Sequence, residues 1–147
     1  MKKLVLFKKR WLLVLSLGIL FSCKVTLISE YDEITDKKIT ELQEKTSTVL
    51  SQLEDEIGKD NYENYKKFYQ EVRADLNTLE IRANAIDKNQ ITINHIAILK
   101  SSYDTLESLH KQKINSLEEL NIIKSAFNTS FIALVKLQMA KKQGKTN

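Results

Sequence analysis

Beyond residue 30, apolar residues recur at steps of three and four along almost the whole chain. Ile39, Leu42, Thr46, Val49, Leu53 and Ile57 form one such stripe. Tyr62, Tyr65, Tyr69, Val72, Leu76, Leu79, Ala83 and Ile86 form a second and cleaner one. Ile96, Leu99, Tyr103, Leu106 and His110 form a third, and Leu120, Ile123, Phe127, Phe131, Leu134 and Leu137 a fourth. This spacing keeps side chains on one face of an α-helix, so each stripe predicts an amphipathic helix with one buried face.

Local signals set the boundaries. The first helix is expected from about 29 to 57, with Ser29 as N-cap, Asp32 and Glu33 near the positive end of the helix dipole, and Gly58 just past the last turn. Asp60 and Glu63 have capping-box spacing ahead of the second helix, and residues 87–90 read as a connection. The third helix is expected from about 92 to 111. No glycine or proline marks the next break, which is argued from Ser116 and Glu119, again at capping-box spacing before an apolar run. The chain has no proline, and beyond residue 23 it has only Gly58 and Gly144, so the usual helix breakers are scarce. The expected fold is all-α, an antiparallel up-down four-helix bundle about 30–40 Å long. The alternative is three long helices, the third and fourth fused into one rod, forming a coiled-coil-like dimer.

The first 23 residues follow a different pattern. Lys2, Lys3, Lys8, Lys9 and Arg10 precede an apolar run from Trp11 to Phe21, which Lys24 stops. The run is shorter than the roughly 20 apolar residues that span a bilayer, and its order reads as a secretory signal. Cys23 is the only cysteine. The run Leu20-Phe21-Ser22-Cys23 resembles the lipobox of bacterial lipoproteins, with Leu20 as the aliphatic residue three before the cysteine and Ser22 as the small residue before it. Phe21 is bulkier than that pattern usually carries.

The resemblance implies cleavage before Cys23 and a diacylglycerol group on its thiol, with no other cofactor. It implies a signal peptide over 1–22, a lipidated cysteine and tether over 23–28, a bundle over 29–140 and a basic disordered tail over 141–147. The implied place is the cell envelope. Lys24 after the cysteine resembles the set exported to the periplasmic face of a Gram-negative outer membrane. In a Gram-positive cell the same anchor would sit on the outer face of the cytoplasmic membrane.

Removal of the signal changes the charge. Of 23 basic residues, five lie in the first ten, leaving 18 against 19 acids. A neutral mature chain gives no reason to expect nucleic-acid binding. With Cys23 acylated no disulfide forms, so packing alone must stabilise the fold. The tether Lys24–Ile28 spans less than about 20 Å, which holds the bundle against the membrane. An even number of helices returns the C-terminus to the same end, so Lys141, Lys142 and Lys145 are expected to contact the membrane, each contributing about 1 kcal/mol on anionic lipid.

Candidate chemistry is sparse. Glu107 and His110 have the Glu-x-x-His spacing that di-iron bundles use, but a complete site needs two such pairs. The only other histidine, His95, has Thr92 where its glutamate should be. Glu107 and His110 are therefore expected as a helix-surface pair, with no metal. Tyr62, Tyr65 and Tyr69 are expected in the core with hydroxyls at its rim, while Phe68 lies beside the stripe and is a candidate partner contact. Arg73 and Arg82 are the other candidates. Nine residues apart, they face nearly opposite ways and suit separate salt bridges to neighbouring helices. No nucleophile-and-base motif and no Gly-rich phosphate loop is present, so no enzyme is expected. The expectation is a lipid-anchored module that binds an envelope protein or another copy of itself. The alternative is a small-ligand- or metal-binding bundle.

Overall fold

The computed structural model describes residues 28–59 and 61–145. They form four helices: α1 (Glu33–Asp55), α2 (Tyr62–Asn84), α3 (Gln90–Lys111) and α4 (Leu117–Lys145). Each helix packs closely against two others, α1–α2, α2–α3, α3–α4 and α1–α4, and across the α1–α3 diagonal the buried hydroxyls of Thr46 and Tyr103 hydrogen-bond. Short connections make sequence neighbours antiparallel, and the α1–α4 contact closes the ring. The described residues are all-α, a four-helix bundle. The fused-rod alternative is overturned, because α3 ends at Lys111 and α4 turns back to pack on both α3 and α1.

The four stripes meet inside. Leu42, Leu79, Leu99, Leu106, Leu120 and Leu134 are completely buried, with Tyr69 and Phe127 the largest buried side chains. Each buried leucine contributes about 1.5–3 kcal/mol, more than any exposed ion pair on this surface is worth. Phe127 packs between Tyr103 and Phe131, with ring centroids 4.6 and 6.2 Å away. The last turn of the fourth stripe differs from expectation. Leu137 is only half-buried, and Gln138 takes the core position. A four-residue step from Leu134 stays on the inward face at 3.6 residues per turn, whereas a three-residue step drifts off it.

The ends also differ in detail. The residue before α1 is Asp32 rather than Ser29, and its carboxylate caps no backbone amide. Ser29 instead buries its hydroxyl against Asn89. Gly58 has φ +81°, as its place after α1 suggests, and its N–H bonds the Ile114 carbonyl at 2.9 Å, joining the two connections at that end. The break without a glycine is made by Lys113, at φ 71°, and Lys88 plays the same part between α2 and α3 at φ 58°. The signal read at Ser116 holds. Ser116 Oγ accepts from the Glu119 amide at 3.1 Å, and Glu119 Oε2 accepts from the Asn115 amide at 3.3 Å. Asp60, the first half of the other capping box, lies outside the described residues, and Asn61 precedes α2.

Candidate functional site

The largest polar cluster sits where α2 begins and α3 ends. Glu107, expected on the surface, is buried, and so is His110, which the third stripe placed inward although the Glu-x-x-His spacing was read as a surface pair. They continue the inward stripe of α3 by a turn, and the tyrosines at the start of α2 cover them. Glu107 accepts from the Tyr62 hydroxyl at 2.7 Å, pairs with Lys111 at 3.0 Å and with Arg73. Burial alone would raise its pKa, but these three hydrogen bonds outweigh it and hold the carboxyl at about 2.

His110 is engaged at both nitrogens. Nε2 lies 2.7 Å from Asn61 Oδ1, and Nδ1 lies 2.9 Å from the Tyr69 hydroxyl. The Asn61 amide nitrogen donates to Glu56, which fixes its oxygen toward the ring and makes Nε2 the protonated nitrogen. In the neutral imidazole, Tyr69 then donates to Nδ1. Burial pushes the Tyr69 hydroxyl well above its ordinary pKa of 10, and the nearby Glu107 charge adds to that. Tyr65 donates to Glu56 at 3.0 Å, and burial and that carboxylate together raise its pKa to about 12. The rings of Tyr62, Tyr65 and Tyr69 surround His110 with centroids 5.2–5.9 Å away.

The cluster thus ties α2, α3 and the α1–α2 connection together through groups that satisfy one another. Among the described residues, no three of His, Cys, Asp and Glu converge as metal ligands.

The opposite end, where the chain enters α1, is built differently. Arg82 grips Asp32 with two bonds of 2.7 and 2.9 Å, and Thr35 adds a third at 2.6 Å. The Arg82 bonds hold the Asp32 carboxyl at about 2. Asn89 accepts from Ser29 at 2.8 Å and donates to the Ala83 carbonyl at 2.9 Å.

Lys141, expected at the membrane surface, is only 5% exposed. It follows Leu134 and Gln138 on the inward face, and its ammonium donates to Asn89 Oδ1 at 2.7 Å and Thr92 Oγ1 at 2.6 Å. It is therefore a core residue and no lipid contact. Burial lowers its pKa, with Asp32 opposing the shift. Helix α4 runs on to Lys145, so the stretch read as a tail begins as helix. Lys142 is exposed, its ammonium 5.6 Å from the Tyr31 ring. The side chain of Lys145 lies outside the described residues, as do Leu20, Phe21, Ser22 and Cys23.

The remaining candidates resolve simply. Arg73 and Arg82 do serve separate ion pairs, to Glu107 and to Asp32. Phe68 is half-buried, packed edge-on to Tyr69 at 5.2 Å and tilted against Tyr103 at 6.3 Å. It fills the joint between α2 and α3, so less of it faces a partner than its place beside the stripe suggests.

A surface feature went unread in the sequence. Ion pairs cross the α1–α2, α2–α3 and α1–α4 seams, but none crosses α3–α4 among the described residues. That seam instead carries an open groove of about 780 Å³ whose lining includes small residues such as Ser102, Thr105 and Ala126. Ile98 and Ile122 stand at its edges, 53% and 67% exposed. The signal was present as isoleucines on the polar faces of two helices. No family model, curated protein or solved structure matched the chain, so its function must be argued from its own residues.

Proposed function

We propose that the chain is a lipid-anchored helical module of the bacterial cell envelope that acts by presenting helix surfaces to a protein partner. The observation that carries this reading is Leu20-Phe21-Ser22-Cys23 at the end of a basic and then apolar segment. Its supports in the folded part are modest and physical. The chain joins the bundle at Ser29, six residues after Cys23, and the bond from Ser29 to Asn89 fixes that entry point. Helix α4 ends beside it, where Lys142 meets Tyr31. Lys142 and Lys145 remain the lysines suited to anionic lipid, and Lys141 serves the interior. Glu107, His110 and Tyr69 engage one another in a packed interior, which suits a rigid scaffold. No helix of the described residues is long and apolar enough to cross a membrane, so the lipid is the proposed attachment.

The test is metabolic labelling of the expressing cells with an alkyne palmitate. Label on the parent chain that disappears in Cys23→Ala, together with a shift of that variant from the membrane to the soluble fraction, is the expected result. An unlabelled parent, or label retained by the variant, would overturn the reading. A second reading, a small-ligand-binding bundle, is favoured by a cleft of about 190 Å³ between α2 and α3 beside Tyr69, Arg73, Tyr103 and Glu107. A melting temperature that moves with added divalent metals or EDTA would support it, because a ligand bound only to the native state raises stability.

A further inference from the structure

The outer face of α4 points to a second copy of this chain as an occupant. Glu118, Ile122, Ser125, Thr129, Ile132 and Lys136 follow one another at steps of four, three, four, three and four, and all six are exposed. They lie opposite the core stripe of the same helix, so they form a second heptad-spaced stripe that faces outward. Ile122 is 67% exposed and Ile132 54%.

We infer that two copies pair through this stripe with their α4 helices antiparallel, about a two-fold axis beside residue 127. In that register Glu118 faces the partner's Lys136, Ile122 faces the partner's Ile132, and Ser125 faces the partner's Thr129. Every layer then joins like with like in polarity and opposite in charge, and each is formed twice by symmetry. The parallel arrangement places Glu118 on Glu118 and Lys136 on Lys136, and a shift of one heptad in either direction sets an isoleucine against a hydroxyl residue. Charge complementarity therefore selects one direction and one register.

The groove between α3 and α4 adjoins the stripe. The partner's Ile132 would close its mouth between Ile98 and Ile122, covering the one seam without ion pairs among the described residues. Residues 118–136 span about 27 Å, so a single helix pair of this length buries less than the roughly 1,200–2,000 Å² of stable complexes. The pair is weak in dilute solution and strengthened where an anchor confines both copies. It rests on the interaction-module reading and adds the partner and the face. It also fixes an orientation. Antiparallel copies have their entry ends at opposite ends of the pair, so two short tethers reach one membrane only when the pair lies flat along it.

The test is register-specific cross-linking with the full chain, extracted from membranes in a non-ionic detergent. Two differently tagged variants, Ser125→Cys and Thr129→Cys, are mixed and oxidised. The parent, whose only cysteine is Cys23, sets the background. Mixed covalent dimer at least tenfold above either variant alone, linked between positions 125 and 129, is the expected result. Equal cross-linking by each variant alone, or none above background in the mixture, would overturn the pairing.

Glu118→Lys should reduce the mixed dimer several-fold, and adding Lys136→Glu on the same chain should restore it. Restoration is not what a merely unfolded variant would give, and its failure would overturn the register. Palmitate labelling of Cys23 is read on the same samples, so loss of the anchor and loss of the pairing are told apart.

Discussion

At the end of the bundle where α3 finishes, Glu107 receives Tyr62, Arg73 and Lys111, and both nitrogens of His110 find partners. At the end where the chain enters, the buried Lys141 ammonium has two neutral acceptors and no carboxylate within salt-bridge distance among the described residues. One turn before it, Gln138 is 1% exposed, and neither its oxygen nor its nitrogen has a hydrogen-bond partner there. The same fold thus buries polar groups in two ways. In the first, removal of any member leaves others unmatched. In the second, burial itself is the cost, and an apolar replacement of the same size relieves it.

That contrast predicts opposite responses to substitution. The largest effect is expected at the satisfied end. Glu107→Ala should lower unfolding free energy by about 2–3 kcal/mol, since it takes the acceptor from the half-buried Tyr62 hydroxyl and breaks two ion pairs whose Arg73 and Lys111 ends are exposed. Lys141→Met at the other end should stay within about 1 kcal/mol of the parent, although both residues are charged and buried. Urea denaturation of the two variants measures both, and similar losses would erase the distinction.

Acid should act next, and mainly through the carboxylates. The folded-state pKa values of Glu107 and Asp32 both lie at about 2, below their ordinary values of 4.5 and 3.8. The unfolded chain therefore binds protons first as pH falls. Their contribution is complete above about pH 5 and is lost as pH drops toward 2, on the order of 2 kcal/mol for Glu107. A denaturation midpoint measured from pH 6 to pH 2 should fall through that window, and Glu107→Gln should flatten its part of the slope. A parent midpoint that does not change with pH would refute the assignment.

Smaller gains sharpen the comparison further. Gln138→Met, which keeps the volume and removes the unpaired amide, should raise stability by about 1–2 kcal/mol. A loss instead would mean that the amide has a partner in solution, such as a buried water. Lys113→Gly should gain about 0.5–1 kcal/mol, because the left-handed backbone there strains any side chain but costs glycine nothing. Thermal melting resolves both.

The sequence made the four helices legible because each inward face is periodic and almost wholly apolar. It also revealed the third break through Ser116 and Glu119, where local chemistry acts without tertiary help. The polar members of the interior were harder to see. Thr92, Glu107, Gln138 and Lys141 each continue a stripe by a three- or four-residue step, yet a charged or amide side chain in that place reads as surface. What buries them is the opposite helix, Tyr62 and Tyr69 for Glu107 and His110, and the α2–α3 connection for Lys141. Such pairings lie 41–52 residues apart and leave no local trace. The outward stripe of α4 was missed for the converse reason, since Ile122 and Ile132 stand there among polar residues and read as scattered exposed side chains. The segment that resembles a lipobox is the reverse case, read entirely from sequence and lying outside the described residues.

The bond between Ser29 and Asn89 has a mechanical consequence. Any pull transmitted through the residues before α1 enters the bundle there, at Tyr31, which meets Lys142 and Asp36, and at Asp32, which Arg82 clasps. Because α1 begins at the edge of one end, such a force peels the helix away turn by turn instead of shearing it along its length. Resistance to extraction is then set by these few bonds, one after another, and the hydrophobic interior beyond them feels the tension only after they give way.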